Sequence, residues 1–400
     1  MGLFFHDALQ DEFACWALGY TASGGIDVGL LAAVGRQVGK GDSAAYWQAW
    51  MAAGERLRAE AAEAEAEGRR RAASAAYLQA ACAYGLSYHP LYGAPVDPRL
   101  LQAFRAQMAA LDRGLALLPE PAIPLRIPYE DTTLPAWLLP AAGRTAEVRP
   151  LVILTNGYDA TVADLYFSSA VAIARHGYNC LFFDGPGQGE VLYEQAIPIR
   201  PDWEAVIRPV LDFALELRRV DRSRIALWGW SLGGYLALRG ASGEDRLAAC
   251  VADPGLGALL APELLAGLPG RIAAAATQGS AAEAGLEALT RTSPGMHWKF
   301  VQRGFWVHGV SSFAAYVASA RQFTLDGREA LIRCPTLLTA AEEDKLSAGA
   351  PALLDRLRCP ATLLRFTAAE GAGDHCEMGN RSLANRRILA WLDGVFGEAG

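Results

Sequence analysis

The chain has 400 residues, of which 52% are hydrophobic and 20% charged, with a formal charge of −7. This length exceeds one ordinary core and suits a large α/β domain with an added module, or two domains, and the composition excludes a disordered chain. The acidic balance leaves no electrostatic footprint for nucleic acid or an anionic membrane surface, and no stretch approaches the roughly 18 uninterrupted apolar residues of a membrane span.

Residues 1–120 are Ala-rich and strand-poor. From Asp42 to Tyr88 the pattern predicts two helices, the first capped by Asp42 or Ser43, with a break at Gly68 and Pro90 just beyond the second. Tyr46, Trp50 and Leu57 recur at helical spacing in one, and Tyr77, Ala81 and Tyr84 in the other. A further helix is expected from Pro98 to Leu118, and the charge run within "EAAEAEAEGRRRA" reads as solvated helix surface. The chain begins with no basic leader ahead of an apolar run. Its seven cysteines (15, 82, 180, 250, 334, 359 and 376) are scattered and never spaced C-x-x-C. Reduced thiols in a cytoplasmic protein are therefore expected, without a disulfide framework or zinc site.

After "LPEPAIP" the period changes. "LRIPYEDTTLPAWLLPA" predicts a β-hairpin about Glu130–Thr133, after which strands and helices alternate. The strands are "PLVILTN", "NCLFF", "RIALWGW", "LAACVAD", "CPTLLTA" and "ATLLRFT", with helices between them and a closing helix over about 382–396. Residues from about 256 to 325 break this rhythm as a helical insertion. The alternation predicts a mostly parallel, doubly wound sheet, with functional groups gathered at the carboxyl ends of its strands.

Gly229-Trp230-Ser231-Leu232-Gly233 fits G-x-S-x-G with a strand before it and a helix after it. Small residues two positions either side let strand and helix approach while the serine hydroxyl is lifted above the sheet edge. The pentapeptide alone would also suit a serine capping an ordinary strand–helix turn, and its flanks and the partner residues downstream are what favour a nucleophile. Such a hydroxyl needs a base, and the base an orienting acid, in the order Ser, Asp or Glu, His. Three histidines follow Ser231. His297 and His308 lie among aromatics in the insertion, whereas His375 lies in the polar, Gly-rich loop "AAEGAGDHCEMGN" and is the expected base. For the acid, "AAEEDKLS" offers Glu342, Glu343 and Asp344. Asp344 has the better register beyond its strand and Glu343 is the fallback. Oxyanion donors are expected from the amide of Leu232 and, in "VILTNGYDAT", from that of Tyr158, with Asp159 as the neighbouring possibility. "DGPGQGE" lacks the G-x-G-x-x-G or Lys-containing pattern of a phosphate loop and reads as a structural turn beside the site.

"NGYDAT", "FDGPGQGE", "GWSLGGYLALR", "EED" and "GAGDHCEMGN" resemble the α/β-hydrolase superfamily, in the branch of 2,6-dihydroxypseudooxynicotine hydrolase and related polyketide-processing hydrolases. The similarity covers most of residues 121–400, and a helical N-terminal segment suits that branch. The resemblance implies a triad of Ser231, Asp344 and His375, with no metal or other cofactor and a helical cap above the site. It also implies hydrolysis of a carbon–carbon bond beside a ketone, and commonly a homodimer. Ester, lactone or thioester hydrolysis would use the same apparatus. Peptidase action and a non-catalytic binding protein are more distant alternatives. The expected organisation is a cap or dimerisation region at 1–120 and a catalytic domain at 121–400 with its insertion at 256–325. Trp230, Trp298, Trp306 and Tyr316 are candidate lining for a small aromatic or polyketide-like substrate, together with Asp159 and the acidic candidates Asp253 and Glu263.

Overall fold

The computed structural model describes residues 2–260, 288 and 290–397. Glu263 and much of the expected insertion lie outside these residues.

The apolar runs that follow the hairpin form one sheet of eight strands: β1 (Ile123–Tyr129), β2 (Thr132–Leu139), β3 (Arg149–Thr155), β4 (Asn179–Phe183), β5 (Val220–Trp230), β6 (Ala249–Asp253), β7 (Thr336–Ala341) and β8 (Ala361–Phe366). The spatial order is β1-β2-β4-β3-β5-β6-β7-β8. β2 runs antiparallel to β1 and β4, and all pairings from β4 through β8 are parallel. β3, β4, β6 and β7 are buried along almost their whole length, as continuous Val/Leu/Ile/Ala runs require when helices cover both faces. Thr155 pairs with Gly229 and Trp230 with Asp253, so the carboxyl ends of β3, β5 and β6 finish at one edge. The loops that carry the site leave from that edge.

The N-terminal segment is helical. Asp42 caps the helix Ser43–Ala66 by accepting from the amides of Ala44 and Ala45. This helix packs on Arg70–Ser87, which packs on Pro98–Ala116. Tyr46, Trp50 and Tyr84 are buried between them, as the helical spacing predicts. Two helices that sequence patterning had not singled out precede these, Ala8–Trp16 and Val28–Val38. In the insertion, Pro294–His297, a π-helical stretch Trp298–Phe305 and Trp306–His308 follow one another without a break, and Phe313–Ala320 comes next. Its two ends are stitched together by an antiparallel bridge between Ala258 and Thr324.

The strand expected at Arg224 begins four residues earlier, at Val220, because Arg149 at the start of β3 pairs with Val220. All seven cysteines are free thiols, five of them buried. Among the described residues no helix is long and apolar enough to cross a membrane.

Candidate active site

Ser231 stands between the end of β5 and the helix Gly233–Ala241 with φ +62°, a left-handed conformation that non-glycine residues rarely adopt. Two backbone bonds hold it there: its amide donates to the Asp253 carbonyl at 2.7 Å, and its carbonyl accepts from the Gly234 amide at 2.9 Å. The flanking glycines are steric necessities. A Cβ on Gly229 would fall 1.7 Å from the Gly233 carbonyl oxygen, so no side chain fits where strand and helix cross.

His375 and Asp344 converge on this serine from 144 and 113 residues downstream, the separations of residues 375 and 344 from 231. His375 Nε2 lies 2.9 Å from Ser231 Oγ, and His375 Nδ1 lies 2.7 Å from Asp344 Oδ2. Asp344 follows β7 and is buried, with Oδ1 accepting from the Leu346 amide. Glu342 and Glu343 are exposed, and Asp344 is the acid of the three placed against His375. Burial works against a charged His375 ring, but the carboxylates of Asp344, Asp159 and Asp253 outweigh it and raise its pKa above 6.5. The His375 side chain is partly exposed, with 29% of its surface open.

The loop after β3 is shaped by its neighbour "DGPGQGE". Gln188 Nε2 donates to the carbonyls of Asn156 and Gly157 at 2.9 and 3.0 Å. The Gly157 carbonyl and the Tyr158 amide belong to one planar trans peptide, so clamping the first aims the second the opposite way. The same logic turns the Leu232 amide away from the Ser231 carbonyl, which is held by Gly234. Neither amide has a protein acceptor among the described residues. A Cβ on Gly157 would lie 2.8 Å from the Ser231 Cβ, which shows how closely this loop approaches the serine.

Asp159 faces the insertion, where Arg303 Nη1 bonds its Oδ2 at 2.6 Å. Burial opposes the Asp159 charge, but Arg303 outweighs it and keeps the carboxyl below its ordinary range. Trp230 is buried under Trp16, with ring centroids 5.1 Å apart. Trp298 stacks on Tyr92 and donates its indole N–H to the His89 carbonyl at 2.7 Å. Trp306 packs between Tyr92 and Tyr193. Both tryptophans therefore tie the insertion to Tyr92 of the N-terminal segment, and Trp306 ties it also to Tyr193 beyond β4. His297 is exposed, and His308 is buried against Tyr158 and Tyr316.

Asp253 is not a substrate-facing acid. It is fully buried, accepting from Thr339 Oγ1 at 3.0 Å and from Arg381 Nη1 at 2.6 Å. Its position at the end of β6 resembles a site position, but its partner comes from the closing helix Arg381–Phe396. Sequence reasoning also missed Trp16, whose ring lies 5.5 Å from that of His375, and Gln188, Arg303 and Arg381. Phe13, Trp16 and Tyr20 share one helical face by spacing, the one local signal available for Trp16.

A family model described as "Alpha/beta hydrolase family" matches residues 152–384, and the chain belongs to that family. Its curated relatives include the 20-hydroxy-prefusarin hydrolase FUS2 of Gibberella moniliformis, 32% identical over 95% of this chain and 94% of that one. Hydrolase acrC of Aspergillus aculeatus is 31% identical over 94% of this chain and 93% of its own. Among solved structures, the 2,6-dihydroxy-pseudo-oxynicotine hydrolase superposes with a TM-score of 0.75 over 94% of this chain and 95% of that chain, at 20% identity. AbyA5 does so with 0.63 over 98% and 99%, at 21% identity. The shared fold thus includes the helical N-terminal segment.

Proposed function

We propose that this protein is a serine hydrolase that cleaves an activated acyl bond of a small, aromatic or polyketide-like ketone, breaking a carbon–carbon bond through an acyl-enzyme. The observation that carries the hydrolase reading is the continuous hydrogen-bonded path from Ser231 Oγ through His375 to Asp344, at 2.9 and 2.7 Å. His375 Nε2 takes the hydroxyl proton as Oγ bonds to the ketone carbon. Asp344 holds the Nδ1–H and favours the imidazolium that forms. The amides of Tyr158 and Leu232 receive the oxyanion. Collapse breaks the carbon–carbon bond, its electron pair leaves as an enolate or electron-rich aryl carbanion, and the imidazolium returns the proton to that carbon. Water deprotonated by His375 then adds to the acyl carbon, and Ser231 leaves with its proton restored.

The carbon–carbon assignment draws support from the motif resemblance, and a small organic substrate from the relative named a 20-hydroxy-prefusarin hydrolase. The aromatic surroundings (Trp16, Trp230 and Tyr158) suit an unsaturated or aryl ligand. A panel of aryl 1,3-diketones, pyrones, p-nitrophenyl esters and aminoacyl anilides tests the reading. Turnover of the diketones with release of the carboxylic acid is the expected result. Rapid ester hydrolysis with no ketone cleavage would transfer the assignment to an esterase.

The electrostatics predict the acid side of the pH profile. His375 must be neutral to act as the base, and its pKa is raised, chiefly by Asp344 against the effect of burial. The kcat/KM profile should therefore fall with falling pH through an inflection above 6.5. An inflection below that value would contradict the coupling of His375 to Asp344.

A further inference from the structure

Two sealed nitrogen atoms flank the Tyr158 ring with no bonding partner among the described residues, Arg303 Nε and His308 Nε2. The Arg303 guanidinium lies 4.6 Å over the Tyr158 ring and 5.1 Å over that of Trp298, while its Nη1 pairs with Asp159. The His308 ring stands 5.5 Å from the Tyr158 ring, with Nδ1 2.7 Å from Ser319 Oγ. Burial, aided by Arg303, pushes the His308 pKa down to about 4, so the ring is neutral near pH 7. When the Ser319 hydroxyl donates to Nδ1, the ring proton sits on Nε2, and both sealed atoms are N–H donors.

Buried donors without acceptors are uncommon in folded proteins because their desolvation is uncompensated. Two of them beside one ring are therefore an unfilled demand for acceptor oxygen. Arg303 and His308 also lie within and just after the π-helical stretch Trp298–Phe305, a backbone irregularity frequent at functional sites. Tyr158 carries the proposed oxyanion amide, and the next residue, Asp159, pairs with Arg303 and raises the His375 pKa by its charge, which ties this group to the site.

We infer that Arg303 and His308 form a polar subsite for the second carbonyl oxygen of a 1,3-dicarbonyl substrate, the oxygen of the leaving half, which takes up the enolate charge. The inference deepens the carbon–carbon reading and rests on it for the identity of that half. As the carbon–carbon bond breaks, charge builds on the second carbonyl oxygen, and a donor fixed there stabilises it without reorganising solvent.

The test reads binding without turnover, on Ser231→Ala protein titrated with benzoylacetone near pH 7. Binding should be accompanied by growth of the enolate absorption band. Arg303→Lys in the same background keeps a cation for Asp159 but removes the Nε–H, and it should weaken binding by roughly tenfold and suppress the band. His308→Asn should do the same to a smaller degree, and it carries the test if Arg303→Lys does not fold. Affinity within about twofold of the Ser231→Ala parent in the folded double variants, with the band intact, would overturn the subsite. So would a folded parent that does not bind the diketone at all. Failure of the carbon–carbon reading shows up separately, as absent ketone turnover by the unaltered enzyme.

Discussion

Replacing Ser231 with alanine should lower kcat/KM on any substrate of the enzyme by roughly four to six orders of magnitude, the loss seen when a nucleophile of this kind is removed. The fold should survive, because alanine adds no volume and the side-chain hydrogen bond lost is the one between Ser231 Oγ and His375. The backbone bonds that impose φ +62° do not involve the side chain. Removing His375 as well should add little further loss, since the two groups act as one unit. Steady-state kinetics alongside thermal unfolding separate the two effects. A variant that kept a tenth of the activity would mean that another group attacks the substrate.

The second large effect concerns stability. Arg381 is almost completely buried, and its guanidinium contacts Asp253 Oδ2 at 2.6 Å, the Cys376 carbonyl at 2.8 Å and Ser169 Oγ at 2.9 Å. Glu377 lies 3.5 Å away on the same guanidinium. Burial and repulsion from Asp253 push the Glu377 carboxyl well above its ordinary range, which favours its protonated form. Arg381→Leu would strand the Asp253 carboxylate in the core, and breaking a buried pair in this way costs about 3–5 kcal/mol. The urea midpoint should fall accordingly. Activity should fall further than stability alone explains, because the Cys376 carbonyl follows His375 directly in a turn where Cys376 and Glu377 both have positive φ. An unchanged midpoint would show that the cluster is not the anchor of the histidine loop.

Much of this architecture is legible in the sequence. The strand-helix alternation is strong because each buried parallel strand is a short continuous apolar run, and the pentapeptide around Ser231 announces itself through sterics that admit only glycine at position 229. His375 and Asp344 are legible through chain order and loop composition. What local pattern does not encode is which distant segments pack together. Trp16 meets His375 across 359 positions, the difference between residues 375 and 16. Asp253 resembles a site acid until Arg381, 128 residues away, is seen to neutralise it. Gln188 looks like a turn residue, and its role emerges only once its amide is found on two carbonyls of the neighbouring loop. The aromatic residues of the insertion read from sequence as candidate lining, and their ring partner Tyr92, far earlier in the chain, is not encoded in any local pattern.

The claim beneath all of this is that the hydroxyl of Ser231 is activated for covalent attack. The most direct measurement treats the folded protein and its Ser231→Ala form with a fluorophosphonate and maps the adduct by peptide mass spectrometry. A single phosphonylated site at Ser231, absent from the variant and suppressed when His375 is replaced, is the predicted result. An intact, folded protein that takes up no reagent, or that carries it on another residue, would contradict the account.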